Sequence, residues 1–457
     1  MRIVLFDIDC LRPDHLGCYG YARPTSPNID AIAKDGVRFD HCYCASSPCL
    51  PSRTAWSSGR FGIRNGVTSN VGAGADYYMR CRNYGGPHDD NQMLMRRLRQ
   101  LGLDTISVSN FADRHNGYYF MCGWSEYLTP NLKGGGETAE EVNAVALDWL
   151  KKNAGRDNYL IHINYWDTHR CFKMDASWAD RLEGTPPPAW PDDATARAYY
   201  EKYQGSFTGS GQFRNGKESP HPLMPTEVRD RATFEHMATG YDASIAYVDH
   251  HIAQVMETLA ETGDMNDTAI IVTSDHGDAL GEHGIYTDHV CADECIHHIP
   301  LIVKWPGVAK AGHADTSFIY NLDMGPTLVE LHGGEAPADW DGASFVRNLR
   351  GEPGLDREYL VWDHGLYTLQ RAVRTNSHLM IRTYDAHGYT AFDPVALYDM
   401  EKDPYQTTNI ADSQPDALGR CDSMMNEWVS AQRAKGHVRQ DPLMRTLEER
   451  TRQLTRP

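Results

Sequence analysis

The chain has 457 residues, 41% of them apolar and 23% charged, with a formal net charge of −18. That length suits one large α/β domain with an appendage, or two domains. The acidic balance argues against a nucleic-acid or anionic-membrane binder, which needs a basic face. It leaves room for a small anionic substrate held by local cations or a metal.

The opening MRIVLFDID predicts a strand over residues 2–8 that runs directly into carboxylates. It lacks the basic, apolar and small-residue order of a signal peptide. Pro24, Pro27 and Asn28 mark a turn, and NIDAIAKDGVRF reads as a short helix followed by a strand. Residues 93–110 read as a helix stopped by Gly102, then a strand. Residues 137–153 carry helical apolar spacing with acids in the first turn. A strand is predicted over 158–166, a long Pro-, Gly- and Ser-rich excursion over 184–225, and a long helix over 233–263. Strands follow at 268–277 and 297–307. The expected fold is α/β: a large, mostly parallel sheet sandwiched by helices. Beyond about residue 355 short strands and a helix at 415–435 predict a small antiparallel sheet with a C-terminal helix. The expected division is an N-terminal catalytic unit over 1–354 and an α+β unit over 355–457.

Eleven cysteines lie scattered without a framework spacing, and no apolar run approaches the ~18 residues of a membrane span. The expectation is a reduced cytoplasmic protein, or a periplasmic one had a signal been trimmed. In doubly wound sheets ligands bind at the carboxyl ends of strands. Asp7 and Asp9 end one predicted strand, and Asp275 and His276 end another. Such a set suits a divalent cation with mainly oxygen ligands. Arg114 and His115, His169, and Asp288 and His289 fall in loops on the same side, as an anion-handling pocket requires. Cys10, Cys18, Cys42, Cys122 and Cys171 read as small buried hydrophobes, Cys10 less clearly because it follows Asp9. Cys291, Cys295, His297 and His298 match no ordinary zinc spacing. Trp166, Trp178, Trp190, Tyr199 and Tyr200 read as packing before they read as a sugar-binding wall.

The stretch SSPCLPSRTAWSSGR, with Cys49, Pro51, Ser52, Arg53, Gly59 and Arg60, resembles the signature of the type I sulfatases of the alkaline phosphatase superfamily. DIDCLRPDHLGCYGY, TSDHGDALGEHG, IPLIVKWPG and LYDMEKDP are similar to family segments in family order. The resemblance implies that Cys49 is oxidised to formylglycine by a formylglycine-generating enzyme or an anaerobic maturase. It implies a metal on Asp9, Cys10, Asp275, His276 and residue 49, with Asp7 a ligand or a supporting group. Calcium is the family's usual metal. Cys10 replaces a common aspartate ligand and leaves manganese and zinc open. Arg53 would hold residue 49, and Arg114, His169 and His289 would hold the substrate. His115 or His289 would protonate the leaving oxygen. Arg114-His115 replaces a Lys-x-His pair, and His289 stands roughly where a lysine is expected. The implied reaction is hydrolysis of a sulfate ester, on a saccharide or another small molecule: one hydroxyl of the formylglycine hydrate attacks sulfur and the second expels sulfate. Phosphonate monoester or phosphodiester hydrolysis is the alternative.

Overall fold

The computed structural model describes residues 1–78, 92–203, 219 and 221–454. A run of Val, Ile, Leu and Phe from Arg2 to Ile8 forms the central strand of the large sheet, parallel to Tyr159–Tyr165 on one side and Thr268–Thr273 on the other. Asp104–Val108 and Glu126–Leu128 extend the sheet in parallel beyond Tyr159–Tyr165. On the opposite flank, His298–Lys304 runs antiparallel to both of its neighbours, Thr268–Thr273 and Val37–Tyr43. All seven residues of Tyr159–Tyr165 are buried, as in a strand covered on both faces.

The covering helices follow the period-2 alternation of the strands. Val4, Phe6 and Ile8 pack toward the helices Ala139–Lys152 and Arg231–Glu261. Ile3 and Leu5 face the other side, toward Cys49–Ser58, Leu94–Gln100 and Met324–Leu331. Capping boxes at Thr138 and Asp230 start the first two helices. The expected helix limits, 137–153 and 233–263, shift by one or two residues, within the normal fraying of helix ends.

The second sheet is antiparallel in the order Val395–Asp399, His378–Asp385, Leu369–Thr375, Tyr359–His364. Its far edge pairs with Ser46–Ser47, which runs parallel to Asp363–His364. The segment leading into Cys49 is therefore clamped by the C-terminal sheet. The helix Pro415–Gly436 covers this sheet through Cys421, Met425 and Trp428.

Two expectations change. The 184–225 excursion contains a helix, Asp193–Tyr203; residues 204–218 and 220 lie outside the described residues. The strand at 268–277 ends at Thr273, because Asp275, His276 and their neighbours turn into a network of side-chain contacts.

Candidate active site

Cys49 is the first residue of the helix Cys49–Ser58, and all ten residues of that helix are buried. Pro51 is tolerated because a first-turn residue needs no intrahelical N–H bond. The helix ends at Gly59, with φ +67; a Cβ there would lie 2.5 Å from the Trp340 ring. Ser52 fastens the helix to the acidic turn, its Oγ donating to the Asp275 carbonyl at 2.6 Å. Asn321 Nδ2 donates to Ser52 Oγ at 2.9 Å.

One turn after Cys49, Arg53 points at three carboxylates. It forks onto Asp7 at 2.7 and 3.0 Å, while Nη1 donates to Asp9 at 3.0 Å and Asp275 at 2.6 Å. Asp7 shares the sheet face of Ile3 and Leu5, which is why it meets this helix. His162 Nε2 lies 3.1 Å from its carboxylate. The guanidinium stands over Phe111 and Trp166, with centroids 4.9 and 5.4 Å away.

Beside Arg53, ligating atoms of Asp9, Cys49, Asp275 and His276 all lie within 4.8 Å of one another. Nδ1 of His276 lies 2.7 Å from the Gly277 carbonyl and donates to it, which leaves the Nε2 lone pair facing Cys49 Sγ at 3.2 Å. Burial pushes the Asp275 carboxyl up to about 7, with Arg53 opposing and Asp9 adding to the rise. Burial also presses Asp9 upward, but Arg53 and the neighbouring histidines hold it well below the usual carboxylate range. Three carboxylates against one guanidinium leave excess negative charge when all are ionised. That charge and the donor set, two carboxylates, an imidazole lone pair and position 49, fit a divalent cation. The thiol of Cys49 stands here for whatever group residue 49 carries in the working protein.

Cys10 lies next to this group in a left-handed conformation, φ +59. Its Sγ lies 3.2 Å from Asp9 Oδ1 and 3.8 Å from His276 Nδ1. Cys10 also forms a second group with His169 and His289, whose ligating atoms lie within 4.8 Å of one another. Asp7, by contrast, is absorbed by Arg53 and His162.

The anion-facing groups converge from three loops. Nδ1 of His169 donates to the Arg170 carbonyl at 2.7 Å, and Arg114 Nη2 approaches its Nε2 at 3.5 Å. Arg114 also donates to the Gly134 carbonyl at 2.8 Å, lies over Trp166, and has no carboxylate partner among the described residues. The His289 ring lies 4.6 Å from that of His276 and 5.7 Å from that of His169. His289 Nδ1 is 3.5 Å from Asp278. His115 ends the short helix Phe111–His115, with a buried Nε2 that has no hydrogen-bond partner among the described residues. Burial keeps all three histidines neutral: it lowers His115 to about 3, with Arg114 adding to the effect, and pushes His169 and His289 well below the ordinary imidazole value.

Sequence reasoning missed Trp166 as the platform under both arginines, Thr168, whose hydroxyl donates to the Asp9 carbonyl, and Asp278 behind His289. Trp166 and Thr168 stand in the YWDTHR stretch that carries His169, and that adjacency was the available signal. The other aromatics pack: Trp178 lies against Tyr247 and Arg181, and Trp190 stacks on Tyr405 at 4.1 Å. His297 bonds to Ser47 and His298 to the Asp40 carbonyl, in no metal-holding group among the described residues.

A buried carboxylate and imidazole cluster thus stands at strand ends, beside a helix that begins with Cys49 and continues to Arg53. The family model for sulfatases matches residues 2–334, and that for the C-terminal region of N-sulphoglucosamine sulphohydrolase matches 281–433. The chain belongs to the sulfatase family and is a sulfuric ester hydrolase. It is 25% identical to an N-acetylglucosamine-6-O-sulfatase of Bacteroides thetaiotaomicron, over 86% of this chain and 80% of the relative. The solved structure of a protein in complex with its substrate D-glucosamine-2-N,6-O-disulfate superposes with a TM-score of 0.75 at 19% identity, covering 96% of this chain and 99% of the other. The phosphonate monoester hydrolase of Agrobacterium radiobacter gives 0.72 at 21% identity, covering 95% and 96%. Among the described residues no helix is long and apolar enough to cross a membrane.

Proposed function

We propose that the chain removes sulfate from a sulfated saccharide, using an aldehyde derived from Cys49 by a maturation enzyme and a divalent metal held by Asp9, Asp275, His276 and residue 49. The observation that carries this reading is the cluster of four ligating positions within 4.8 Å, with Arg53 locked against its carboxylates. When bound, the metal would supply charge neutralisation and acidify a hydroxyl on residue 49. Calcium is the favoured ion, and the sulfur of Cys10 beside Asp9 keeps manganese and zinc as alternatives.

The chain's own residues divide the remaining work. Arg53 holds Asp9 and Asp275 in place and fixes the helix that presents residue 49. Arg114, free of any carboxylate among the described residues, takes a sulfate oxygen, and His169 takes another once the anionic ester favours a proton on its Nε2. His289 delivers a proton to the leaving oxygen. An anionic ester beside it offsets the burial cost that keeps its imidazole neutral, and so favours the protonated form. His115, across Arg114, is the second candidate acid. Cys10 lies close enough to act as an auxiliary ligand.

Release of free sulfate from a panel of sulfated mono- and disaccharides, run beside an aryl sulfate and an aryl phosphonate ester, tests the reading. Turnover of at least one saccharide sulfate above the phosphonate is the expected result. A large preference for phosphorus would move the assignment to phosphonate monoester hydrolysis.

A further inference from the structure

Arg170 stands immediately after His169, and its guanidinium is held on one side only. Nη1 donates to Asp288 Oδ2 at 2.7 Å, with the Thr287 carbonyl at 3.5 Å. The other oxygen of Asp288 accepts from the His289 backbone N–H at 2.9 Å. One carboxylate thus ties Arg170 to the loop that carries His289. The Nε–Nη2 edge has no hydrogen-bond partner among the described residues, and Nε is buried. Buried N–H groups are rarely left unpaired, because each forfeits its hydrogen bonds to water. This edge is also the one whose two parallel N–H groups match the oxygens of a carboxylate or sulfate.

Arg53, by contrast, spends its fork on Asp7, Asp9 and Asp275, whereas Arg114 shares with Arg170 a buried Nε that lacks a hydrogen-bond partner among the described residues. The side chain of Arg170 is 15% exposed, so the guanidinium sits in a mostly buried seat. Its charge is felt by His169 and His289. The phenols of Tyr367 and Tyr389 lie within its electrostatic reach, and Tyr367 is 39% exposed beside His387.

We infer that Arg170 is a specificity-determining residue: the open Nε–Nη2 edge of its guanidinium receives a second anionic group of the substrate, a carboxylate or further sulfate near the ester being cleaved. This rests on the sulfate-ester reading above. Asp288 aims the fork, and its own charge is spent on Arg170 and the His289 N–H. Replacing Arg170 with a neutral residue both removes the fork and leaves Asp288 to repel the second anion.

The test compares kcat and KM on two matched pairs: 4-nitrophenyl sulfate with a ring-carboxylated analogue, and N-acetylglucosamine 6-O-sulfate with glucosamine-2-N,6-O-disulfate. The wild type is expected to prefer the dianionic member of at least one pair. Arg170→Gln should lose about 10²-fold in kcat/KM on that dianion, mainly through KM, and less than about tenfold on its monoanionic partner, the scale of a lost charge-assisted bidentate contact. Arg170→Lys, which keeps the charge without the fork, should fall between. Melting temperatures near wild type confirm that both variants fold. A wild type with no preference for either dianion, or an Arg170→Gln variant that keeps the preference, overturns the inference while leaving the sulfatase reading intact. Absence of turnover on all four esters, with turnover of a phosphonate ester, strikes the sulfate-ester reading and this inference with it.

Discussion

Arg53→Ala removes the one cation that three buried carboxylates share. Arg53 and Asp9 are 2% and 0% exposed, and Asp275 lies in the same dry cluster. Breaking a buried ion pair from one side costs about 3–5 kcal/mol, because the orphaned charge keeps its desolvation penalty. Here four charge-assisted contacts vanish together, at 2.6, 2.7, 3.0 and 3.0 Å. Proton uptake by Asp275, whose carboxyl already sits near 7, absorbs part of the cost. The expected loss is therefore about 3–4 kcal/mol. Arg53→Lys retains a charge but not the planar fork that spans Asp7, Asp9 and Asp275, and should lose about half as much. Urea unfolding followed by tryptophan fluorescence, in metal-free buffer at neutral pH, measures both. A loss below about 1 kcal/mol for Arg53→Ala, inside the usual range of a surface substitution, would refute the claim that this guanidinium holds the acidic cluster together.

Three further predictions come from other parts of the molecule. Cys49→Ala should abolish turnover while the circular dichroism spectrum stays that of the wild type, since among the described residues the thiol has one hydrogen-bond partner, His276 Nε2 at 3.2 Å. Gly135→Ala would place a Cβ 2.4 Å from Arg114 Nη1 at a residue with φ +84, so KM should rise about tenfold, at a stability cost of about 1 kcal/mol. Asp363, bonded to Arg371, is pushed up to about 6 by burial, with Arg371 opposing and Asp441 adding. Its folded value lies above its unfolded one, so the stability it contributes is full below about pH 4 and falls as pH rises through 6. Asp363→Asn should flatten that fall, on the order of 2 kcal/mol, in urea midpoints taken from pH 4 to 7.

Much of the site could be read before the fold, because strand ends announce themselves. An apolar run that stops at Asp9, and another that stops just before Asp275 and His276, place acids at the carboxyl edge of a parallel sheet. His169 and His289 follow from the same rule, as loop residues after strands. Asp7 was harder. Its distance from Asp9 suggests a shared role, yet Asp7 is still inside the strand and faces the Cys49 helix, whereas Asp9 lies past the strand's end. Only the packing of that helix decides that Arg53 claims Asp7. Ser46–Ser47 could not be foreseen as a strand, since two residues carry no periodicity and their partner lies more than 300 positions away. Arg170 was passed over because a charged loop residue has no spacing signal; its meaning comes from Asp288, brought to it by the fold.

In the proposed reaction residue 49 works as an aldehyde and not as a thiol, inside a metal-holding cluster. Peptide mass spectrometry of the fragment containing residue 49, from protein that releases sulfate in the same preparation, tests this most directly. The mass of formylglycine is expected at position 49, in a fraction that scales with specific activity. Full activity in protein whose residue 49 is entirely unmodified cysteine would contradict it.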